Sequence, residues 1–332
     1  MNSAIDRFLD KAGGTTVLVV GDVMVDAYLW GRVDRISPEA PVPVVQVTHR
    51  SARLGGAANV ALNVLSLGGR AITASVIGED DNTTLLTKLF EEQGLVPDGL
   101  VRSPVRRTTV KTRVISGYQH VVRVDEEQED DLAPSDADLL MERIASIIRN
   151  DKPGVIVLED YNKGVLSAKV VEDIIALAKK AGIPVAVDPK KKNFLSYRGA
   201  DLFKPNLKEL REGLKTDVDP KDPSSIKRAV KLLEERLGNT LSMLTMSEHG
   251  VYIHGRGEEH RVPAHPRRVV DVSGAGDTVI TVAALALAQG LSPLAIAQLA
   301  NLAGGLVCEE VGVVPIDRNT FRAECVRLGL PA

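Results

Sequence analysis

The stretch Asp271-Val272-Ser273-Gly274-Ala275-Gly276-Asp277-Thr278 decides how the rest of the chain is read. Gly274 and Gly276 lack a Cβ, so the backbone can turn its N–H groups inward and let a ligand approach closely. The run after it, Thr278 to Gln289 (TVITVAALALAQ), is apolar and Ala-rich and predicts a buried helix that starts at this turn. A glycine-rich turn opening a helix is an anion site, because the first-turn N–H groups have no partners and the helix dipole favours negative charge there. Asp277 stands at the mouth of that site, where a bare carboxylate would repel a phosphate. Its placement makes sense as a base that removes a proton during group transfer. It also fits a plain helix N-terminus with an acidic first-turn residue, and the stretch alone does not choose between the two.

Upstream, Thr16 to Val20 is a continuous β-branched run, as expected for a strand buried on both faces of a parallel sheet. It ends in Gly21-Asp22-Val23-Met24-Val25-Asp26, which sets two carboxylates just past the carboxyl end of a first strand, where open α/β sheets bind ligands. The pair reads either as a polar loop capping the strand or as holders of ligand hydroxyls. No G-x-G-x-x-G follows the strand, so a dinucleotide fold is not indicated. Leu54-Gly55-Gly56-Ala57-Ala58-Asn59 opens a helix in which Asn59 caps locally or faces a ligand. Strands are predicted at 71–77, 155–158, 184–187, 202–204 and 241–246, with a ribbon at 251–254 and 261–263. Helices are predicted at 83–93, from Ser135, from Ser167 to Ala181, from Ser224 or Ser225, at 277–289 and at about 293–310. Polar residues follow one strand after another: Asp22, Glu159-Asp160, Asp188, Asn206 and Ser247. In a parallel sheet those ends share one edge, so the residues converge on one crevice.

Two segments break this rhythm. Pro41 and Pro43 make 42–47 an edge or protruding strand. Thr109 to Ile115 alternates, Ser116-Gly117-Tyr118 suits a turn, and His120 to Val124 returns. A lone two-stranded ribbon is marginally stable, so this one is expected to pair with the 42–47 strand and to pack on the body or on a second subunit. Alternation puts Arg107, Lys111 and Arg113 on one side, either a solvated face or a counter-charge for an anionic substrate. Asn206 and Glu209, at i and i+3, suit magnesium or its waters, and the spacing fits a helix capping box equally well.

Composition narrows the partners. Aromatics at 3% and a net charge of −3 argue against nucleic acid or an anionic membrane surface. Two cysteines, Cys308 and Cys325, make neither a disulfide framework nor a metal site. The 44% hydrophobic and 26% charged content is that of a soluble globular protein, and no charged-then-apolar leader or bilayer-length apolar run stands in the 332 residues, so a cytoplasmic protein, and an enzyme, is expected.

Taken together, DVSGAGDT at 271–278, LGGAAN at 54–59, Gly21-Asp22 through Asp26 and N-x-x-E at 206–209 resemble the ribokinase-like carbohydrate kinase family over about residues 16 to 316. The resemblance is closest to D-glycero-β-D-manno-heptose-7-phosphate kinases of lipopolysaccharide core biosynthesis, through DRISPEAPVPV (34–44), RTTVKTRV (107–114), VVRVDEE (121–127), FKPNLKE (203–209) and DVSGAGDTVI (271–280). It implies a three-layer αβα sandwich with a mainly parallel central sheet, one kinase domain over 1–332, and a small β lid from about 31–50 and 105–127. It implies Asp277 as the base for the anomeric hydroxyl, and Gly274, Ala275 and Gly276 as the anion hole for the transferred phosphoryl. Asp22, Asp26, Gly55, Gly56 and Asn59 would hold sugar hydroxyls, and Lys111, Arg113, Arg107 or Lys163 would meet the 7-phosphate. Asn206, Leu207, Lys208, Glu209, Thr245, Ser247, Gly250 and Asn301 would flank ATP, with Asn206 and Glu209 acting on Mg2+ through water. Small-molecule partners only and a homodimer through the lid are expected. Many such kinases continue into an adenylyltransferase domain; the sequence stops at Ala332 without an H-x-G-H motif, so a stand-alone kinase is expected. Thr281 departs from the family, which has Gly or another very small residue there, and bears on the packing of the site floor.

Overall fold

Alternating apolar runs sort this chain into two sheets of different character, described in a computed structural model for residues 4–117 and 119–330. The turn expected at Tyr118 lies in part outside the described residues. Helix α1 (Ala4–Gly13) buries Ile5, Phe8, Leu9 and Ala12, an i, i+3, i+4, i+7 stripe. After β1 (Thr16–Gly21) the chain leaves the main sheet in a long antiparallel pair, β2 (Val23–Ile36) and β3 (Pro43–Gly56). It returns through α2 (Ala57–Ser66), β4 (Arg70–Gly78), α3 (Asp81–Glu92) and β5 (Leu100–Ser103). A second excursion, β6 (Thr109–Ser116) and β7 (Gln119–Glu126), precedes α4 (Pro134–Asp151), β8 (Val155–Glu159), α5 (Ala168–Ala181) and β9 (Val185–Asp188). Then come β10 (Leu202–Phe203), α6 (Leu207–Leu214), α7 (Pro223–Leu237), β11 (Leu241–Thr245), β12 (Val251–Gly255) and β13 (Glu258–Val262). Helices α8 (Ala275–Ala288), α9 (Pro293–Val307) and α10 (Arg318–Leu328) follow.

The main sheet has the order β13-β12-β11-β10-β9-β8-β1-β4-β5, parallel from β11 to β5 with an antiparallel ribbon at the other edge. One core, under α1, α2, α3, α8, α9 and α10, joins residues such as Phe8, Val60, Leu86, Leu285, Leu299 and Phe321. The other, under α4 to α7, joins Ile144, Ile174, Leu210 and Leu233. This is the expected ribokinase-like three-layer αβα sandwich. Strand β1 pairs with β4 on one side and β8 on the other, so the topology reverses beside it. Ligand crevices of open α/β sheets lie at such a point, outside the carboxyl ends. No described helix is long and apolar enough to cross a membrane.

The small sheet has the order β3-β2-β6-β7. Here the structure corrects the expected pairing. The ribbon does not join the 42–47 strand; β6 lies parallel to β2, Met24–Gly31 against Thr109–Ser116, and β3 takes the far side of β2. Of the two readings open for the Asp22–Asp26 stretch, the capping loop does not hold: Val23–Ile36 is a single strand whose first four side chains are buried. That strand offers two hydrogen-bonding edges, and the Pro-bearing β3 is left at the rim, where a missing N–H costs nothing. Two helix starts also move. Helix α4 begins at Pro134 after Ala133, not at a Ser135 cap, and α7 begins at Pro223 with Asp222 as its cap. Proline at the first helical position set both starts, since its absent N–H would be unpaired there anyway.

Helix α8 is buried on every face from Asp277 to Leu287, packed by α2, α9, β8 and β9. Its rigidity therefore comes from packing all round. Thr281 fits at no cost in polar groups: its buried hydroxyl donates to Asp277 O at 2.7 Å. Replacing the fully buried Leu285 with Ala should cost about 2–5 kcal/mol. A calorimetric Tm equal to the wild type would contradict this account of the core.

Candidate active site

The N-terminus of α8 meets the carboxyl edge of the sheet at the reversal point. Gly274 caps the helix with φ 78°, a left-handed conformation that only glycine adopts cheaply. A Cβ there would also stand 2.9 Å from Asn59 Nδ2 and 3.2 Å from Val313 Cγ1. Among the described residues, the N–H groups of Gly276 and Asp277 find no backbone acceptor outside the helix, so they are available to an anion. Asp271 braces the turn by accepting from Ser273 N and Gly312 N, each at 2.9 Å.

Asp277 is 3% exposed and has no cation in direct contact; its two oxygens accept from neutral donors, Asn59 Nδ2 on Oδ2 and Tyr161 Oη on Oδ1, each at 2.7 Å. Burial pushes its carboxyl up to about 6; the two hydrogen bonds and Lys190 oppose the rise, and Asp188 adds to it. A carboxylate poised at that value is ionised at neutral pH and basic enough to take a proton in a transition state. Burial, with the charges of Asp277 and Glu159, keeps the Tyr161 phenol well above its usual range, so it stays a donor.

Below the turn lies a buried cluster of charges. Lys204 Nζ pairs with Asp188 Oδ2 at 2.8 Å, and Lys190 Nζ with Glu209 Oε1 at 2.8 Å. Burial lowers both lysines, yet the carboxylates around them outweigh it and hold both raised and charged. Asp188 Oδ2 and Lys204 Nζ lie 3.5 and 3.9 Å from where a Gly276 Cβ would be, so the cluster sits directly against the turn. Glu159 has both carboxylate oxygens buried without a hydrogen-bond partner, and Asp188 Oδ1 is likewise unpartnered. Burial first, then the charges of Asp188 and Asp277, drive the Glu159 carboxyl well above its usual range. Unpaired hard oxygens in a pocket with surplus negative charge fit a hard dication such as magnesium.

Of the residues expected to hold magnesium through water, Asn206 and Glu209 form the capping box of α6: Asn206 Oδ1 accepts from Glu209 N at 2.9 Å, and Glu209 Oε2 from Asn206 N at 2.8 Å. Leu207 packs against the core, and Lys208 is exposed, 4.0 Å from Glu212. Thr245, Ser247, Gly250 and Asn301 come together in the structure. They line a cavity of about 630 Å³ that ends at Ala275 and Gly276 and is walled by Val251, Val272 and Val279. A mostly apolar slot that opens onto an anion-binding turn suits a nucleotide, base in the slot and phosphates at the turn.

On the sugar side the picture is mixed. Asn59 reaches the site through its bond to Asp277. Asp22 is 2% exposed, and its oxygens accept from the backbone N–H groups of Tyr161, Lys163 and Val165, so it fastens the loop after β8. Asp26 pairs with Arg113 across the small sheet, and Gly55 leaves room for it: a Cβ there would lie 2.3 Å from Asp26 Oδ2. Gly56 ends β3 as the cap of α2. Lys163 Nζ pairs with Glu127 and Glu129 at 2.8 and 2.9 Å, and Lys111 with Glu127 at 3.6 Å. Arg107 is exposed. Sequence reasoning missed Tyr161, Lys190 and Lys204, although each stands within two residues of a strand-end acid or of Asn206. Asn63 was missed as well; its Oδ1 accepts from Thr278 Oγ1 and Ile316 N, both at 3.0 Å, which ties α2 to α8.

A catalytic role for the Asp277 carboxylate would give protonation a defined sign. With a carboxyl at about 6, kcat/KM should fall about tenfold per pH unit below that value and level off above it. Asp277→Asn should lower kcat by at least about 10²-fold with little change in nucleotide affinity. A variant turning over at the wild-type rate would remove Asp277 from the chemistry.

The family described as pfkB family carbohydrate kinase matches residues 15–318. Curated relatives include the Bifunctional protein HldE of Geobacter sulfurreducens, 41% identical over 93% of this chain and 62% of its own length. That of Caulobacter sp. (strain K31) is 44% identical over 94% and 63%. The chain thus spans less than two thirds of those relatives. Among solved structures, phosphofructokinase-2 from Escherichia coli in complex with potassium superposes with a TM-score of 0.79 at 18% identity, over 95% of this chain and 99% of that one. Arabidopsis thaliana ribokinase complexed with ribose and ATP gives 0.71 at 20%, over 93% and 98%. At those identities the two structures establish the shared fold. The chain belongs to the pfkB family of carbohydrate kinases: it is a phosphotransferase acting on a sugar.

Proposed function

We propose that this kinase phosphorylates the anomeric O1 of D-glycero-β-D-manno-heptose 7-phosphate to the 1,7-bisphosphate, a step toward ADP-heptose and the lipopolysaccharide inner core, in the cytoplasm. The observation that carries the chemistry is Asp277, buried beside the glycine turn and held only by neutral donors. The choice of sugar is supported by the five stretches shared with heptose-7-phosphate kinases and by the HldE relatives.

In this reading Asp277 takes the proton of the O1 hydroxyl as that oxygen attacks the γ-phosphorus and the bond to the β,γ-bridging oxygen breaks. The N–H groups of Gly276 and Asp277, which follow the Gly274–Ala275 turn, would hold the charge that spreads over the moving phosphoryl, while the Ala275 N–H is taken by Val272 O at 3.3 Å. Asn59 keeps Asp277 in place, and Lys190 and Lys204 fix the acids beneath the turn. Asp188 and Glu159, together with the water-mediated pair Asn206 and Glu209, would hold magnesium, which when bound neutralises nucleotide phosphate charge. Thr245, Ser247, Gly250 and Asn301 flank the nucleotide. Lys111, Lys163, Arg113 and Arg107 are the cations that would meet the 7-phosphate. One observation favours a second reading, a kinase of another sugar phosphate, sugar or nucleoside: three of those four cations already face carboxylates. Under the heptose reading, the phosphate displaces Glu127 from Lys111 and Lys163.

The four-stranded sheet, reading as the lid of a single kinase domain, would also carry a homodimer contact. Its edge strand β7 leaves Val122 and Val124 51% exposed each. Val122→Glu with Val124→Glu should turn a dimer into a monomer in sedimentation, and an unchanged mass would place the contact elsewhere.

The substrate is tested with a coupled ADP-release assay across heptose 7-phosphate, fructose phosphates, ribose and nucleosides. The heptose should give the highest kcat/KM, and Lys163→Ala should raise its KM at least tenfold without changing the KM for ATP. A higher kcat/KM for any other acceptor would end the heptose reading.

A further inference from the structure

A kinase that holds ATP beside a general base must keep water from using that base. In this protein both oxygens of Asp277 have protein partners, and the partner on Oδ1 is itself a hydroxyl, Tyr161 Oη at 2.7 Å. We infer that Tyr161 is a placeholder: its hydroxyl occupies the base until the sugar hydroxyl displaces it, so that ATP is not spent on water.

The geometry sets Tyr161 apart from Asn59. Asn59 is 0% exposed, in the first turns of a buried helix, where its side chain has no room to leave. Tyr161 sits in the loop after β8, half-buried, with its backbone N–H pinned to Asp22 Oδ2 at 2.8 Å. In this proposal the peptide stays fixed and the ring alone moves, by turning about its side-chain torsions. Lys190 Nζ lies 5.1 Å from the ring centroid, a contact that keeps the ring at the edge of the crevice. A phenol, a sugar hydroxyl and a water each offer the base one O–H donor of the same length. Water alone has too little contact surface to displace a ring held in place, whereas a sugar brings the rest of its contacts.

The reaction suppressed is hydrolysis. In it, a water oxygen bonds to the γ-phosphorus, the bond from that phosphorus to the β,γ-bridging oxygen breaks, and ADP leaves. The water's proton passes to Asp277 and then to solvent. Removing the Tyr161 hydroxyl opens Oδ1 to that water. Tyr161 is therefore a positioning residue whose loss raises an activity, which a purely structural defect would not do.

The inference rests on Asp277 being the base, and the test separates the two. ADP release is measured with magnesium and ATP and no sugar, for wild type, Tyr161→Phe, Asp277→Asn and the double variant. Tyr161→Phe should hydrolyse ATP at least tenfold faster than wild type, and the double variant should fall back to the Asp277→Asn level. The ratio of ADP released to sugar phosphorylated in Tyr161→Phe should exceed one at low acceptor concentration and return to one at saturation, which reads coupling independently of how much protein is active. Hydrolysis by Tyr161→Phe no faster than wild type, with a ratio of one throughout, would overturn the placeholder and leave the base assignment standing. Fast hydrolysis that persists in the double variant would overturn both.

Discussion

A buried carboxylate with no cation in direct contact is the constraint on which the structure depends. Asp277 is ionisable at 3% exposure, and burying such a group is costly unless donors or nearby charge compensate it. Here the compensation comes from far along the chain. Asn59 arrives on α2, Tyr161 on the loop after β8, and the first-turn N–H groups of α8 lie alongside. The fold brings these together because α8 is packed on every side and because β1, β8 and β9 end at one edge. Loosening one of these contacts leaves the buried charge with fewer partners.

The same logic orders the surrounding acids. Asp22 spends its oxygens on three backbone N–H groups and so determines where Tyr161 and Lys163 stand. Lys204 and Lys190 each answer one acid, while Glu159 and one oxygen of Asp188 remain without partners. The crevice is thus tuned to receive positive charge beneath the turn and negative charge at it. That polarity suits a nucleotide arriving with its metal, as the proposed sugar-kinase reaction requires.

Much of this was legible in the residues. The Gly274 turn, the helix behind it and the run of polar residues after successive strands predicted the crevice and the layered sheet. What sequence patterns carried poorly was pairing between distant segments. The strand 23–36 was hidden because its start coincides with the polar Asp22–Asp26 stretch, and its two-sided pairing depends on β3 and β6, which lie far apart in sequence. Helices α1 and α10 were passed over although Ile5, Phe8, Leu9 and Ala12 keep a helical stripe. Side-chain engagement was the least visible: Asn206 and Glu209 satisfied the capping box and the expected ligand pattern equally, and nothing local revealed that Lys163 and Arg113 face carboxylates. Tyr161 directly follows the strand-end acids Glu159 and Asp160, but its hydroxyl becomes meaningful only with Asp277 placed 2.7 Å away.

The central claim, that burial turns Asp277 into a poised base, is tested most directly by titrating its carboxyl carbon by ¹³C NMR in the sugar-free enzyme, assigned by loss of the signal in Asp277→Asn. The account predicts a midpoint near 6, about two units above an ordinary aspartate. A midpoint near about 4 would show an unremarkable carboxylate and contradict it.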